Sequence, residues 1–348
     1  MSALKIVVVG PGLIGKQHIR LVQDRSDCRL VAIVAPDHEH NHVEAEKHNV
    51  PLFHSIDDCL AGCDIDGIII SSPNEFHAEQ AKCCVQAGIP ALIEKPITTN
   101  VRDGEDLVEL ARTSNGKLMV GHHRAHSPLL SKARDIINSG RLGRIVSVMG
   151  SAQFYKPASY FEAGPWRTKI GGGPILINLI HEIGNLRSLC GEITEVQAFS
   201  SSDIRGFEVE DTVSINLRFA NGALGNFMLS DTAVCVRSWE QTSRENPAYP
   251  TYPDEDCYVI SGTLGCLSVP TFRLKYAPDG VEPSWMKPFI EEDVDVTRKD
   301  PLACQLDNFV QVIRGEAEPL VSAVDGLWNL IITEAIAKSV REQRIIRV

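Results

Sequence analysis

The run Lys5-Ile6-Val7-Val8-Val9, followed at once by Gly10-Pro11-Gly12-Leu13-Ile14-Gly15, limits the fold of this chain more than any other feature. Five residues, mostly β-branched and apolar, read as a strand buried on both faces. Apolar residues then recur at helical spacing: Ile14, Ile19, Leu21 and Val22. Strand, G-x-G-x-x-G turn and helix together form the context in which such a turn holds a dinucleotide. Gly10 permits the tight bend. Gly12 lets backbone N–H groups approach a pyrophosphate, and Gly15 lets the helix sit close on the strand with its positive end toward the phosphates. Leu13 and Ile14, which open that helix, belong to the same expected cofactor contact.

The next 110 residues repeat the strand–helix alternation. Residues 29–35, 67–72, 91–93 and 118–121 read as further parallel strands, and 78–87 and 101–114 as helices. The class is therefore α/β, with a doubly wound parallel sheet. Ligands of such sheets lie outside the carboxyl ends of the strands. That rule collects Gly10–Gly15, Ser71 with Pro73, Asn74 and His77, Glu94-Lys95-Pro96, and His122 with Arg124. Lys95 stands out among them, because an ammonium where a buried strand opens can polarise a hydroxyl or carbonyl oxygen.

The end of the second strand is where a dinucleotide fold places the acid that holds the adenosine ribose. Here that place reads Ala35-Pro36-Asp37. Asp37 either reaches the ribose from two residues late or caps the following helix, and no Arg follows closely to receive a 2′-phosphate. NAD and NADP both stay open, with NAD the first expectation. His38, His40 and His42 read as a solvated face, and no metal site is expected.

With 34 basic and 45 acidic residues, a net charge of −11 speaks against a nucleic-acid or acidic-membrane partner. No apolar run approaches the roughly 20 residues of a membrane helix. The N-terminus runs straight into the first strand, so a cytoplasmic protein is expected. The ten cysteines then read as free, packed thiols.

Beyond residue 128 the texture changes. A helix over 128–139 leads to a strand over 144–154, then to a polar, aromatic stretch with Tyr155 and Trp166-Arg167. Gly171-Gly172-Gly173-Pro174 opens a helix carrying Asn178 and His181. Antiparallel strands are expected over 193–200, 211–219, 223–230, 258–261 and 266–269, with an Asn221-Gly222 hairpin turn that favours positive φ at both residues. Residues 237–256 read as a long loop or lid and 277–299 as irregular. Two helices, over 301–314 and 323–341, close the chain. A lone histidine on an apolar helix is as a rule a core residue; the glycine run, Asn178 three residues earlier and Arg167 upstream single out His181.

Taken together, the glycine turn, Pro73-Asn74 with His77, Glu94-Lys95-Pro96, Trp166-Arg167, Gly171–Gly173 and His181 resemble the glucose-fructose oxidoreductase/inositol dehydrogenase/MocA (Gfo/Idh/MocA) family over essentially the whole chain. The resemblance implies an NAD(P)-binding domain (1–124), an α+β domain for substrate and assembly with a large open antiparallel sheet (125–300), and helices packing back on the domains (301–348). It implies hydride transfer between nicotinamide and a sugar, cyclitol or related polyol, in a homodimer or homotetramer. It makes Lys95 the catalytic lysine and His181 the proton-transfer residue, sets Glu94 beside the nicotinamide and puts Trp166 and Arg167 with the cofactor set. It puts His122, Arg124 and Arg167 near the substrate, and Tyr155 and Asn178 are expected beside Arg124 to orient neighbouring substrate hydroxyls. The Lys95–Pro96 peptide is a candidate cis bond.

One departure matters. The family usually has Asp four residues before the histidine, and here that position is Ile177. Asn178 beside it can hydrogen-bond but cannot act as a base. Two other readings follow from the residues: a non-catalytic dinucleotide-binding sensor, or a reductase of a carboxylate-bearing carbonyl that Arg124 and Arg167 would clamp.

Overall fold

The computed structural model describes residues 2–348. The chain divides into two compact units, one reaching to His123 and joined by Leu302–Leu330, the other formed by Arg124–Pro301 with Ile331–Val348.

In the first unit the elements follow one another as β1 (Leu4–Val9), α1 (Leu13–Gln23), β2 (Cys28–Val34), α2 (Glu39–Lys47), β3 (Leu52–Phe53), α3 (Ile56–Gly62), β4 (Gly67–Ile70), α4 (His77–Gln86), β5 (Ala91–Glu94), α5 (Val101–Thr113) and β6 (Leu118–Gly121). The six strands form one parallel sheet in the order β3-β2-β1-β4-β5-β6. β1 is central, and Ile6, Val7 and Val8 are fully buried, as a strand covered on both faces must be. Each such side chain contributes about 1.5–3 kcal/mol. The strand order reverses between β1 and β4, the place where doubly wound sheets open to ligands. Only the two-residue edge strand β3 falls below what apolar patterning can signal.

The second unit begins with α6 (Pro128–Asn138) and continues through β7 (Ile145–Gln153), α7 (Ala158–Glu162), α8 (Ile180–Cys190), β8 (Ile193–Ser201), β9 (Thr212–Phe219), β10 (Leu224–Ser230), α9 (Trp239–Thr242), β11 (Tyr258–Gly262), β12 (Gly265–Val269), β13 (Arg273–Tyr276) and β14 (Ile290–Asp293). The closing elements are α10 (Pro301–Arg314), α11 (Ala323–Glu342) and β15 (Ile346–Arg347). Nine strands make one open sheet, β14-β13-β12-β11-β7-β10-β9-β8-β15. One face packs on α6 and α8 through Leu129, Leu130, Leu186 and Phe227. On the strands, Val146, Met149, Phe199 and Leu224 are exposed.

Several expectations change here. The sheet is mixed: β10 runs parallel to β7, with Phe227 opposite Gly150. A Cβ at Gly150 would lie 2.3 Å from the Phe227 ring, so the glycine makes room for the aromatic. Residues 277–299 contain β14, whose charged residues hide its pairing with β13. The 237–256 segment is not a free lid, because Trp239 is buried and its ring lies 5.9 Å from that of Tyr258. In the β9–β10 turn only Gly222 has positive φ; Asn221 instead bonds the Cys190 carbonyl and the Ala223 N–H through its side chain.

Candidate functional site

The first unit carries a candidate dinucleotide cradle at the end of β1. Gly10 has φ +80°, and a Cβ there would meet the Ser72 backbone at 2.7 Å. A Cβ on Gly15 would come within 2.1 Å of the Gly10 carbonyl oxygen, so both glycines are sterically required. Gly12 differs: nothing lies within 4 Å of its Cβ position. It is the N-cap of α1 and offers no side-chain cap, which leaves the first-turn N–H groups available for an anion. Leu13 behind it is 84 % exposed. Ser71, expected at the cofactor, is buried and donates to the carbonyls of Val9 (2.8 Å) and Gly10 (2.9 Å), so it shapes the loop.

The turn after β5 is braced from two directions. His18, fully buried on α1, has Nε2 2.8 Å from Glu94 Oε1, while the other carboxylate oxygen accepts the Lys95 N–H at 3.3 Å. Burial raises the Glu94 pKa, yet the His18 hydrogen bond and the charges of His18, His123 and Lys95 outweigh it and hold the carboxyl below its ordinary value. An ionised carboxylate only accepts, so His18 carries its proton on Nε2. From the far side, His77 lies 2.8 Å from the Pro96 carbonyl and 2.9 Å from that of Ser72. Burial lowers the His77 pKa, and a neutral ring donates to only one of these carbonyls. His77, expected among cofactor contacts, thus spans the strand ends as a strut. The Lys95–Pro96 peptide is cis, and Lys95 itself is half-buried. Pro73 is exposed, Asn74 half-buried in a 3₁₀ turn, and His122 buried after β6.

A polar cluster occupies the second unit. Gly171 and Gly173 have φ +94° and +81°, and Glu210 accepts the Ile175 N–H at 2.8 Å. After the glycines starts a π-helical turn, Ile175–Leu179, that runs into α8. The single α-helix expected through Asn178 and His181 is therefore corrected. A π turn holds more residues than an α turn, so the two do not share simple i, i+3 spacing. Asn178 Oδ1 accepts from Lys156 Nζ at 2.7 Å. Lys156 is buried, pairs with Asp231 at 3.4 Å and lies over the rings of Phe154 and Tyr160; burial lowers its pKa despite Asp231. Lysine only donates, so the Asn178 oxygen is committed to it and the amide NH₂ faces the other way.

Arg124, expected at the substrate, is buried and bonded to Glu182 through one nitrogen and Glu240 through the other. Tyr258 donates to Glu182 in turn. Burial lowers the Arg124 pKa, but those two carboxylates raise it further, so the guanidinium stays charged and internally matched. Arg167 stacks on Tyr160 with its carbon 4.0 Å from the ring centre and donates to the Tyr160 carbonyl. Trp166 and Tyr155 are exposed, and Asp37 lies on the surface after β2 with His42 Nε2 at 2.7 Å. Lys156, Glu182, Glu210 and Glu240 were not singled out from the sequence, where nothing distinguishes a buried charge from a surface one.

Residues 4–122 match the family model described as the oxidoreductase family, NAD-binding Rossmann fold, of the Gfo/Idh/MocA proteins, and residues 130–268 match its C-terminal domain. The chain belongs to the Gfo/Idh/MocA oxidoreductase family. It is 24 % identical over 343 residues to inositol 2-dehydrogenase of Rhizobium meliloti (strain 1021), covering 98 % of each chain. It is 26 % identical over 296 residues to 1,5-anhydro-D-fructose reductase of Ensifer adhaerens, covering 82 % of this chain and 80 % of the relative. The crystal structure of the WlbA dehydrogenase from Bordetella pertussis in complex with NADH and UDP-GlcNAcA matches with a TM-score of 0.79 at 25 % identity, covering 99 % of each chain.

This Gfo/Idh/MocA protein is thus an NAD(P)-dependent oxidoreductase, which displaces the sensor reading. The open space at Gly12, the uncapped start of α1 and the exposed Leu13 fit a bound dinucleotide. Among the described residues no helix is long and apolar enough to cross a membrane.

Proposed function

We propose that this enzyme oxidises one carbinol of a sugar, cyclitol or related polyol, or reduces the corresponding ketone. Lys95 and His181 handle the oxygen and its proton. The nicotinamide, when bound, takes up or supplies the hydride. In the oxidising direction His181 accepts the hydroxyl proton and the Lys95 ammonium stabilises the developing oxyanion. The supporting observation is the bracing of Lys95: Glu94, locked by His18, accepts its N–H, and His77 lies against the next carbonyl. That bracing fixes the backbone from which the Lys95 side chain leaves, so less has to be ordered for reaction.

Within the second unit, Lys156 fixes Asn178 so that its NH₂ serves a substrate oxygen. Arg124 acts through Glu182 and Glu240 as a positioning residue, while Tyr155, Trp166, Arg167 and His122 complete the ligand contacts. The exposed sheet residues Met149, Phe199 and Leu224 are the proposed surface for homodimer or homotetramer assembly. One observation favours an acidic sugar as a second reading: with its oxygen committed to Lys156, Asn178 has only amide donors left to offer.

The test is a panel of cyclitols, sugars and uronates with NAD and NADP, followed by absorbance of the reduced nicotinamide. The proposal expects turnover with a neutral polyol. Turnover only with uronates supports the second reading, and silence across the panel overturns both.

A further inference from the structure

The carboxyl end of β2 carries an unusual density of imidazoles around one carboxylate. Asp37 Oδ1 lies 2.7 Å from His42 Nε2, and both side chains are largely exposed. The His42 ring packs edge-on against His54, with centroids 6.2 Å apart. His54 Nδ1 in turn lies 3.2 Å from the carbonyl oxygen of Ala35, the residue standing where the ribose acid is expected. His38 and His40 stack at 5.6 Å on the other side. The Asp37 pKa is held below its ordinary value by the His42 hydrogen bond first, then by the charges of His54, His42 and His38.

The other charged groups nearby are accounted for. Lys16 on α1 is held by Glu44 at 2.9 Å, and Glu44 also binds Lys47 and His48. Glu39 sits in the first turn of α2, and Asp57 and Asp58 lie in the first turn of α3, where Ser55 binds Asp58. The groups that set the local charge beside Asp37 are therefore histidines.

We infer that Asp37, with His42 against it and His54 and His38 beside it, makes the choice between NAD and NADP depend on pH. The inference rests on the dinucleotide lying at the Gly10–Gly15 loop, with its adenosine ribose at the end of β2. With the rings neutral, Asp37 stands as a net negative charge. Its carboxylate accepts the 2′- and 3′-hydroxyls of NAD and repels a 2′-phosphate. Histidine changes charge between about pH 5 and pH 8. As the rings protonate they cancel Asp37 and then exceed it, and the same surface becomes an anion site. Only the ribose end responds; the pyrophosphate contacts are shared by both cofactors.

The test measures dissociation constants of NADH and NADPH by nicotinamide fluorescence, which needs no substrate. The full-length protein and the His42→Asn/His54→Asn variant are compared at about pH 8.5 and about pH 6. The expected result is that the NADPH-to-NADH ratio of constants falls about tenfold or more on acidification in the parent protein, and less than about threefold in the variant. The free 2′-phosphate takes up a proton of its own near about pH 6, which is common to both measurements, so the difference between parent and variant reports the histidines. Asp37→Asn should lower the ratio at the higher pH alone by about tenfold. A ratio that stays constant with pH, or a variant that tracks the parent, overturns the inference. Failure of both cofactors to bind at either pH value overturns the dinucleotide assignment beneath it.

Discussion

His18 and Glu94 form a buried pair, 2.8 Å apart, that joins the first helix to the end of the fifth strand. The same carboxylate holds the backbone N–H of Lys95, so the helix that follows the glycine turn also orients the lysine turn. Replacing His18 by Ala leaves a buried carboxylate without its donor, which costs about 3 kcal/mol or more. Denaturant unfolding is expected to show that loss, and turnover to fall about tenfold or more. Because the folded Glu94 pKa lies below its unfolded value, the stability it adds is present above about pH 4.5 and is lost as pH falls through the folded value. His18→Ala should therefore flatten the acid limb of the stability curve. An unchanged acid limb would contradict the bracing role.

The glycines of the first turn are expected to separate by variant. Gly15→Ala forces a Cβ to 2.1 Å from the Gly10 carbonyl oxygen and should destabilise by about 2 kcal/mol or more. Gly12→Ala meets nothing within 4 Å and should unfold like the parent, yet weaken NAD(H) binding about tenfold or more. Thermal melts paired with cofactor titration check both. Equal melting losses for the two variants would contradict the assignment of Gly12 to the ligand.

Much of this was legible beforehand. The parallel sheet, its crevice-facing segments and the glycine turn follow from buried strands that alternate with helices, because such strands carry unbroken apolar runs. The second unit is less legible in the sequence. β14 is a short, charged edge strand, and the parallel pairing of β7 with β10 joins strands distant in sequence, which no local pattern encodes. The π turn at Ile175–Leu179 shares its composition with an α-helix. The sequence places Arg124 and His77 at strand ends, but their burial depends on Glu182, Glu240, Ser72 and Pro96, partners up to 116 residues away.

The Lys156–Asn178 hydrogen bond should appear as coupling. A double-mutant cycle with Lys156→Met and Asn178→Ala is expected to give an interaction of about 1.5 kcal/mol in kcat/KM, as for a hydrogen bond to a charged group. Lys156→Met alone should raise KM more than it lowers kcat. Strict additivity would detach Lys156 from the substrate site.

Glu245 offers a pH signature in the second unit. Its carboxylate accepts from Ser127 Oγ (2.5 Å) and Trp239 Nε1 (3.0 Å), and burial pushes its pKa up to about 7 despite those bonds. The folded protein thus holds a proton that the unfolded chain releases near pH 4.5, so stability falls as pH rises from about 4.5 to about 7 and stays lower above it. Glu245→Gln, which mimics the protonated acid, should stabilise by about 2–3 kcal/mol above pH 7 and remove that slope. Urea midpoints across the range measure it, and a midpoint unchanged by Glu245→Gln above pH 7 would contradict the shift.

The central claim is that Lys95 acts on the reacting oxygen, and Lys95→Met tests it most directly. NADH affinity and single-turnover hydride transfer are measured side by side on the preferred polyol. The account predicts cofactor affinity within about threefold of the parent and a transfer rate lower by about a thousandfold or more. Near-parental transfer, or a loss explained wholly by weaker cofactor binding, would contradict it.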